Sequence, residues 1–203
     1  MPRIACALLT LLLLLPQSAS AEAIIRARLE AYDAANQPIT SIEVGQAFVL
    51  RAYVEDLRDP HVGVAGANLA TSFDPAIVSP NGPLQVTDFF TDFQPLSFVG
   101  PSTLVGGGFA LVVDPEDLPA PGGQLLFTVP MFAARMGTAV FTPGLVTGED
   151  FEWFVFLSDS PVLSEQIELV GLQLNVVPEP SSIVLSGIGA AAIGLVAFRR
   201  YRR

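Results

Sequence analysis

The stretch QAFVLRAYVED, Gln46–Asp56, places Phe48, Leu50, Ala52 and Val54 at every second position, with Arg51 and Glu55 between them. Successive side chains of a strand point to opposite faces, so this spacing describes a strand with one buried and one wet face. A helix would scatter the same residues around its circumference. AIIRARLEAYD, Ala23–Asp33, repeats the pattern: Ile25, Ala27, Leu29 and Ala31 share a face, with Arg26, Arg28 and Glu30 opposite. In QLLFTVPMFAA, Gln124–Ala134, the residues Leu125, Phe127, Val129, Met131 and Ala133 line one side. Pro130 falls on the outward face of that strand, and its missing N–H argues for an edge position or a bulge. In EQIELVGLQLNVV, Glu165–Val177, the apolar phase slips from Ile167 and Leu169 to Val170, Leu172, Leu174 and Val176. A bulge near Gly171 would absorb the slip.

Turn-forming residues separate these runs at short intervals, in ANQP, VGQ, RDP, FDP, SPNGP, VDPEDLPAPGG, RMG, TPG and TGED. Many short strands broken by proline and glycine predict an all-β fold, a sandwich or a barrel, and of the two the reading adopted is an antiparallel β-sandwich of jelly-roll type. Residues 22–177 are long enough for one good core. The glycines Gly106, Gly107 and Gly108 read as a strand kink or turn. No lysine and serine or threonine follow them, as a phosphate loop requires.

Both chain ends are apolar for other reasons. MPRIACALLTLLLLLPQSASAEA carries Arg3, an apolar core from Ile4 to Leu15, Pro16 and the small-residue site Ala19-Ser20-Ala21. This is the layout of a signal peptide over residues 1–21, cleaved after Ala21. Its 12-residue core covers only about 18 Å as a helix, short of a ~30 Å bilayer. The only cysteine, Cys6, lies within that leader, so the exported chain uses neither disulfides nor thiolate chemistry. At the other end, Ile183 to Phe198 is uncharged and is followed by Arg199, Arg200, Tyr201, Arg202 and Arg203. The reading is one transmembrane helix at 183–198 with a basic stop held on the cytoplasmic side. Ser186, Ala190 and Gly194 put small residues on one face of it. Pro178 and Pro180 restrict the backbone on either side of Glu179, so the glutamate is offered on a stiff, extended stub just outside the membrane.

Between Glu22 and Val177 there are five arginines (Arg26, Arg28, Arg51, Arg58 and Arg135), no lysine and nineteen acidic residues, a balance of −14. Such a surface repels phosphate backbones, which excludes nucleic acid as a partner. The single histidine, His61, sits in a loop, and no G-x-S-x-G elbow accompanies it. Zinc needs soft or paired ligands that are absent. The loop at Asp114, Glu116 and Asp117 offers hard oxygen ligands compatible with calcium, but without EF-hand spacing. No catalytic residue, metal site or cofactor is assigned. Trp153 stands among Phe151, Phe154 and Phe156, where it fills a core or stacks on a sugar.

The ordered set of Pro178-Glu179-Pro180, apolar span, arginine cluster and chain end resembles the PEP-CTERM sorting signal, the tag of exosortase substrates in Gram-negative bacteria. That resemblance implies an exosortase that recognises Pro178, Glu179 and Pro180. It further implies a transient inner-membrane anchor retained by Arg199 and Arg200 with Arg202 and Arg203, then transfer to the cell surface or outside. It covers residues 178–203 alone. VGVAGANLATSFDPAIV, Val62–Val78, and GGQLLFTVPMFAARMGTAVFT, Gly122–Thr142, are similar to cohesin-type β-sandwich domains, a resemblance that bears on fold only. Three domains follow: a leader at 1–21, a sandwich at 22–177 and a sorting segment at 178–203. The expected role is a non-catalytic structural or binding domain of an envelope or extracellular-matrix protein. The alternatives are a carbohydrate-binding adhesive module, a carboxylate-dependent hydrolase, and an uncleaved single-pass membrane protein.

Overall fold

Strands form where the alternation predicts them, and the burial pattern follows the same period. In β1 (Ile25–Tyr32) the apolar positions Ile25, Ala27, Leu29 and Ala31 are buried and the residues between them half-buried. In β4 (Ala47–Asp56) Phe48, Leu50, Ala52 and Val54 are buried in the same way. The computed structural model describes residues 22–61, 63–110, 123–146, 154–155 and 162–179. The leader with Ala19 and Ala21, the acidic loop Asp114–Asp117, Trp153, Pro180 and everything after it lie outside the described residues.

The described residues form two seven-stranded sheets. The first runs β13 (Ile167–Val170), β1, β4, β10 (Gln124–Ala133), β6 (Val78–Pro80), with β2 (Pro38–Ile39) on β1 and β7 (Gln85–Val86) on β10. The second runs β3 (Ser41–Glu43), β14 (Leu172–Val177), β11 (Gly137–Leu145), β5 (Val64–Ser72), β9 (Thr103–Phe109), β8 (Phe93–Val99), with β12 (Phe154–Val155) on β5. Pairing is antiparallel except at two places, β1 with β13 and β14 with β3. Between the sheets lies one core. At its centre the fully buried Phe141 ring meets Phe48 edge-on at 6.3 Å and Phe73 at 6.0 Å.

Four expectations change. Gly171 marks no bulge: β13 belongs to the first sheet and β14 to the second, so the chain changes sheets there. The slipped apolar phase is the consequence, because the inward side reverses when a chain crosses the sandwich. A methyl group on Gly171 would lie 2.8 Å from the Phe141 carbonyl oxygen, so the crossing passes tight against β11. Pro130 lies on no edge, since β10 is paired with β4 on one side and with β6 and β7 on the other. The gap between those two short strands accommodates its missing N–H, and its carbonyl accepts from Asn81 N at 2.8 Å. The bulge on that strand falls instead between Leu125 and Phe127. It turns Leu126 into the core beside Phe127 and leaves Leu125 half-buried.

The three glycines are the interior of a strand, not a turn. β9 pairs with β5 on one side and β8 on the other, with Gly107 opposite Asn68. A methyl group on Gly106 would stand 2.6 Å from the Phe127 ring, and one on Gly108 2.1 Å from the Phe90 carbonyl oxygen. Gly107, at φ +152°, would bring its methyl to 2.0 Å from the Ala67 carbonyl oxygen. Only bare backbone fits between these neighbours.

Gly107→Ala should therefore lower the stability of the sandwich by about 3 kcal/mol, since backbone cannot yield as a side chain does. Gly144→Ala, with no atom within 4 Å of the added carbon, should leave stability unchanged or raise it by up to about 1 kcal/mol. Urea unfolding of both variants checks the contrast.

Candidate functional site

The junction between the sandwich and the proline-bracketed glutamate is built from β14. Leu174 and Val176 point inward, and Val176 is only 3 % exposed. On one side β11 pairs with β14 as far as Gly137 opposite Val176. On the other, β3 runs parallel, with Asn175, Val176 and Val177 beside Ser41, Ile42 and Glu43. The Val177 carbonyl accepts from Val44 N at 2.9 Å. The turn after β3 is fastened to β10, because Gly45 N donates to the Ala133 carbonyl at 2.8 Å and Ala133 N to the Gln46 carbonyl at 2.9 Å. Gly45 has φ +88°, a conformation that favours glycine.

Pro178 follows the strand with no linker and is half-buried. Glu179 is exposed, and its carboxylate lies beside the same turn: a methyl group on Gly45 would stand 3.4 Å from Oε1. The first two residues of the expected motif thus continue directly from a packed strand, where sequence alone suggested a free stub. Pro180, the span 183–198 and Arg199, Arg200, Arg202 and Arg203 are outside the described residues. Among the described residues no helix is long and apolar enough to cross a membrane.

A second polar cluster covers the outer face of β1 and β4. Arg26 Nε donates to Glu168 at 2.8 Å and Arg26 Nη1 to Glu55 at 3.4 Å. Arg28 pairs with Glu30 and stacks 4.6 Å over the Tyr53 ring, while Arg51 stacks 4.1 Å over Tyr32 and bonds Asn36. Tyr53 donates to the Tyr32 hydroxyl at 3.2 Å, and Tyr32 donates to Glu30. Three of the five arginines of this acidic segment are gathered on one sheet face, and two of them cap the tyrosine rings. The Glu168 carboxylate, first, holds the Arg26 guanidinium above its ordinary value. Chiefly its bond to Glu30, and then the contact with Tyr53, push the Tyr32 phenol up.

His61 is exposed, and its Nδ1 donates to the Asp56 carbonyl at 2.8 Å. Asp56 itself accepts from Arg58 Nε at 2.8 Å, Arg58 Nη2 at 2.7 Å and Gly63 N at 2.8 Å. The histidine thus helps to shape a loop closed on a carboxylate. No group of three or more histidine, cysteine, aspartate and glutamate side chains among the described residues is placed to hold a metal. Val140, Pro143, Leu169 and Leu172 line an open groove of about 290 Å³ at the sheet crossing. Nothing in the sequence marked that groove, because it exists only through the crossing at Gly171.

The described architecture is similar to cohesin domains. The seventh ScaB type I cohesin from Pseudobacteroides cellulosolvens matches with a TM-score of 0.53 and 9 % identity, over 76 % of this chain and 93 % of that one. The cohesin module of a Clostridium perfringens family 33 glycoside hydrolase matches with a TM-score of 0.51 and 13 % identity, over 77 % and 99 %. A type II cohesin domain from the cellulosome of Acetivibrio cellulolyticus gives 0.50 and 14 %, over 76 % and 95 %. At these identities the likeness is one of fold. No curated protein matches the sequence. Residues 176–203 match the family model of the PEP-CTERM protein-sorting motif, so the chain carries that motif behind a cohesin-like sandwich.

The raised Tyr32 value has a testable sign. The fold favours the uncharged phenol, so this contribution is complete below the ordinary tyrosine value of ~10 and disappears as pH climbs from there through the raised one. Ultraviolet titration should find one phenol ionising above the ordinary range, and Glu30→Ala should bring it down.

Proposed function

We propose that this chain is an exosortase substrate: an exported envelope or extracellular-matrix protein whose sandwich is a non-catalytic structural or binding module. The observation that carries the reading is the order at the C-terminus. A sheet strand ends at Val177, the PEP-CTERM match spans it, an uncharged run from Ile183 to Phe198 follows, and four arginines close the chain. The leader delivers residues 22–177 across the inner membrane of a Gram-negative cell, and the apolar run stops transfer. Glu179, between Pro178 and Pro180, is what the membrane-embedded exosortase reads. Cleavage there separates the sandwich from its anchor and sends it to the surface or outside.

The carboxylates of the β1–β4 face are tied up by arginines and a tyrosine. A second reading, binding of extracellular polysaccharide, is favoured by Phe98, which is 55 % exposed on β8 with its ring against Gly100. A bare aromatic face over a glycine is a stacking platform of the kind sugars use.

In a host with an exosortase, Glu179→Ala should leave the protein full-length in the membrane fraction, while the wild type is shortened and leaves it. Equal handling of the two would overturn the sorting reading. Pull-down on the host's polysaccharide should weaken at least about tenfold in Phe98→Ala, the loss expected when one stacking contact of ~1.4 kcal/mol is removed. Unchanged retention removes the sugar reading alone.

A further inference from the structure

The PEP-CTERM match begins at residue 176, inside β14, so the sorting signal and the fold share residues. A peptide enters a protease-type site extended, and the residues on the N-terminal side of Glu179 are here held by other strands. The two neighbours hold them unequally. β11 reaches only to Val176, opposite Gly137, whereas β3 and Val44 hold Val177 as well. β3 is a three-residue strand at the sheet edge, anchored by the buried Ile42 side chain. Short edge strands are among the first elements of a sheet to open.

We propose that β3 and the turn Val44–Gln46 form a latch on the sorting signal, and that exosortase processing proceeds from the state in which this latch has opened. Opening breaks the Val44–Val177 hydrogen bond, the three parallel pairs and the two bonds that tie Gly45 and Gln46 to Ala133, and moves the Gly45 turn away from the Glu179 carboxylate. β14 keeps its pairing with β11, so the sandwich stays folded while Val177, Pro178 and Glu179 become free to extend. The latch rests on the sorting reading above, and its geometry has a readout that does not depend on that reading.

The test uses the full-length chain in membranes containing an exosortase. Six glycine and serine residues inserted between Val177 and Pro178 bypass the latch. Val44→Pro removes the donor to the Val177 carbonyl. The time course of tail loss should be about tenfold faster with the insertion, equivalent to ~1.4 kcal/mol of opening, and faster to a smaller degree with Val44→Pro. Prolyl endopeptidase added from outside should rank the three proteins in the same order. Hydrogen exchange at Ser41–Glu43 should quicken in Val44→Pro while β4 and residues 124–132 of β10 keep their protection, which separates latch opening from general unfolding. Equal rates for all three proteins with both enzymes overturn the latch. Equal exosortase cutting of all three also overturns the gating of processing by the latch, whereas no exosortase-dependent cut in any of them, with the prolyl endopeptidase order kept, overturns the sorting reading and leaves the latch standing.

Discussion

One strand is committed on three sides. β14 closes the core with Leu174 and Val176, joins β11 to β3 in the second sheet, and ends inside the sorting match, which begins at Val176. A core position cannot be given up cheaply: removing a buried aliphatic side chain from a packed interior costs about 2–5 kcal/mol. The C-terminal edge of the fold therefore fixes where Pro178 and Glu179 emerge. Had a flexible linker stood between them, fold and motif would be independent modules. Without one, the position of the motif is a property of the sheet.

At the same edge of the sandwich the chain changes sheets between β2 and β3 at Thr40 and between β13 and β14 at Gly171. The two crossings are locked together, because Asn175 N donates to the Thr40 carbonyl at 3.0 Å. At Gly171 the close passage against Phe141 leaves no room for a side chain, and the groove lined by Val140 and Leu169 opens beside it. The acidic balance of the segment sits outside this framework. Its arginines are spent locally, as in the Arg26, Glu55 and Glu168 group, where exposed pairs of this kind contribute little to stability.

Much of the fold was legible because period two is a local signal. β1 and β4 could be read face by face, and each apolar position named in them is buried. What failed was non-local. The strand QLLFTVPMFAA, read with an unbroken period, puts Leu125 in the core, yet the bulge against β4 gives that place to Leu126. The slip at Gly171 showed that something changes there, but a bulge and a change of sheet produce the same one-residue shift of phase. The glycines 106–108 have the composition of a turn, and only the nearness of Phe127, Ala67 and Phe90 makes them a strand. Of the candidate site, Pro178, Glu179 and Pro180 were named from their bracketing and context, and the family match at 176–203 spans them. That Val176 belongs at once to the core and to the motif was not, since nothing local says which neighbour a strand will find.

The account stands on the cut falling immediately beyond the last strand of a folded, exported sandwich. Intact-mass measurement of the protein recovered from medium and from membranes addresses this directly. The released species should begin at Glu22 and end between Pro178 and Pro180, with the sandwich whole and the span and arginines gone. A protein recovered only at full length with the membranes, or a released form ending well before Val177 inside the sheet, would contradict it.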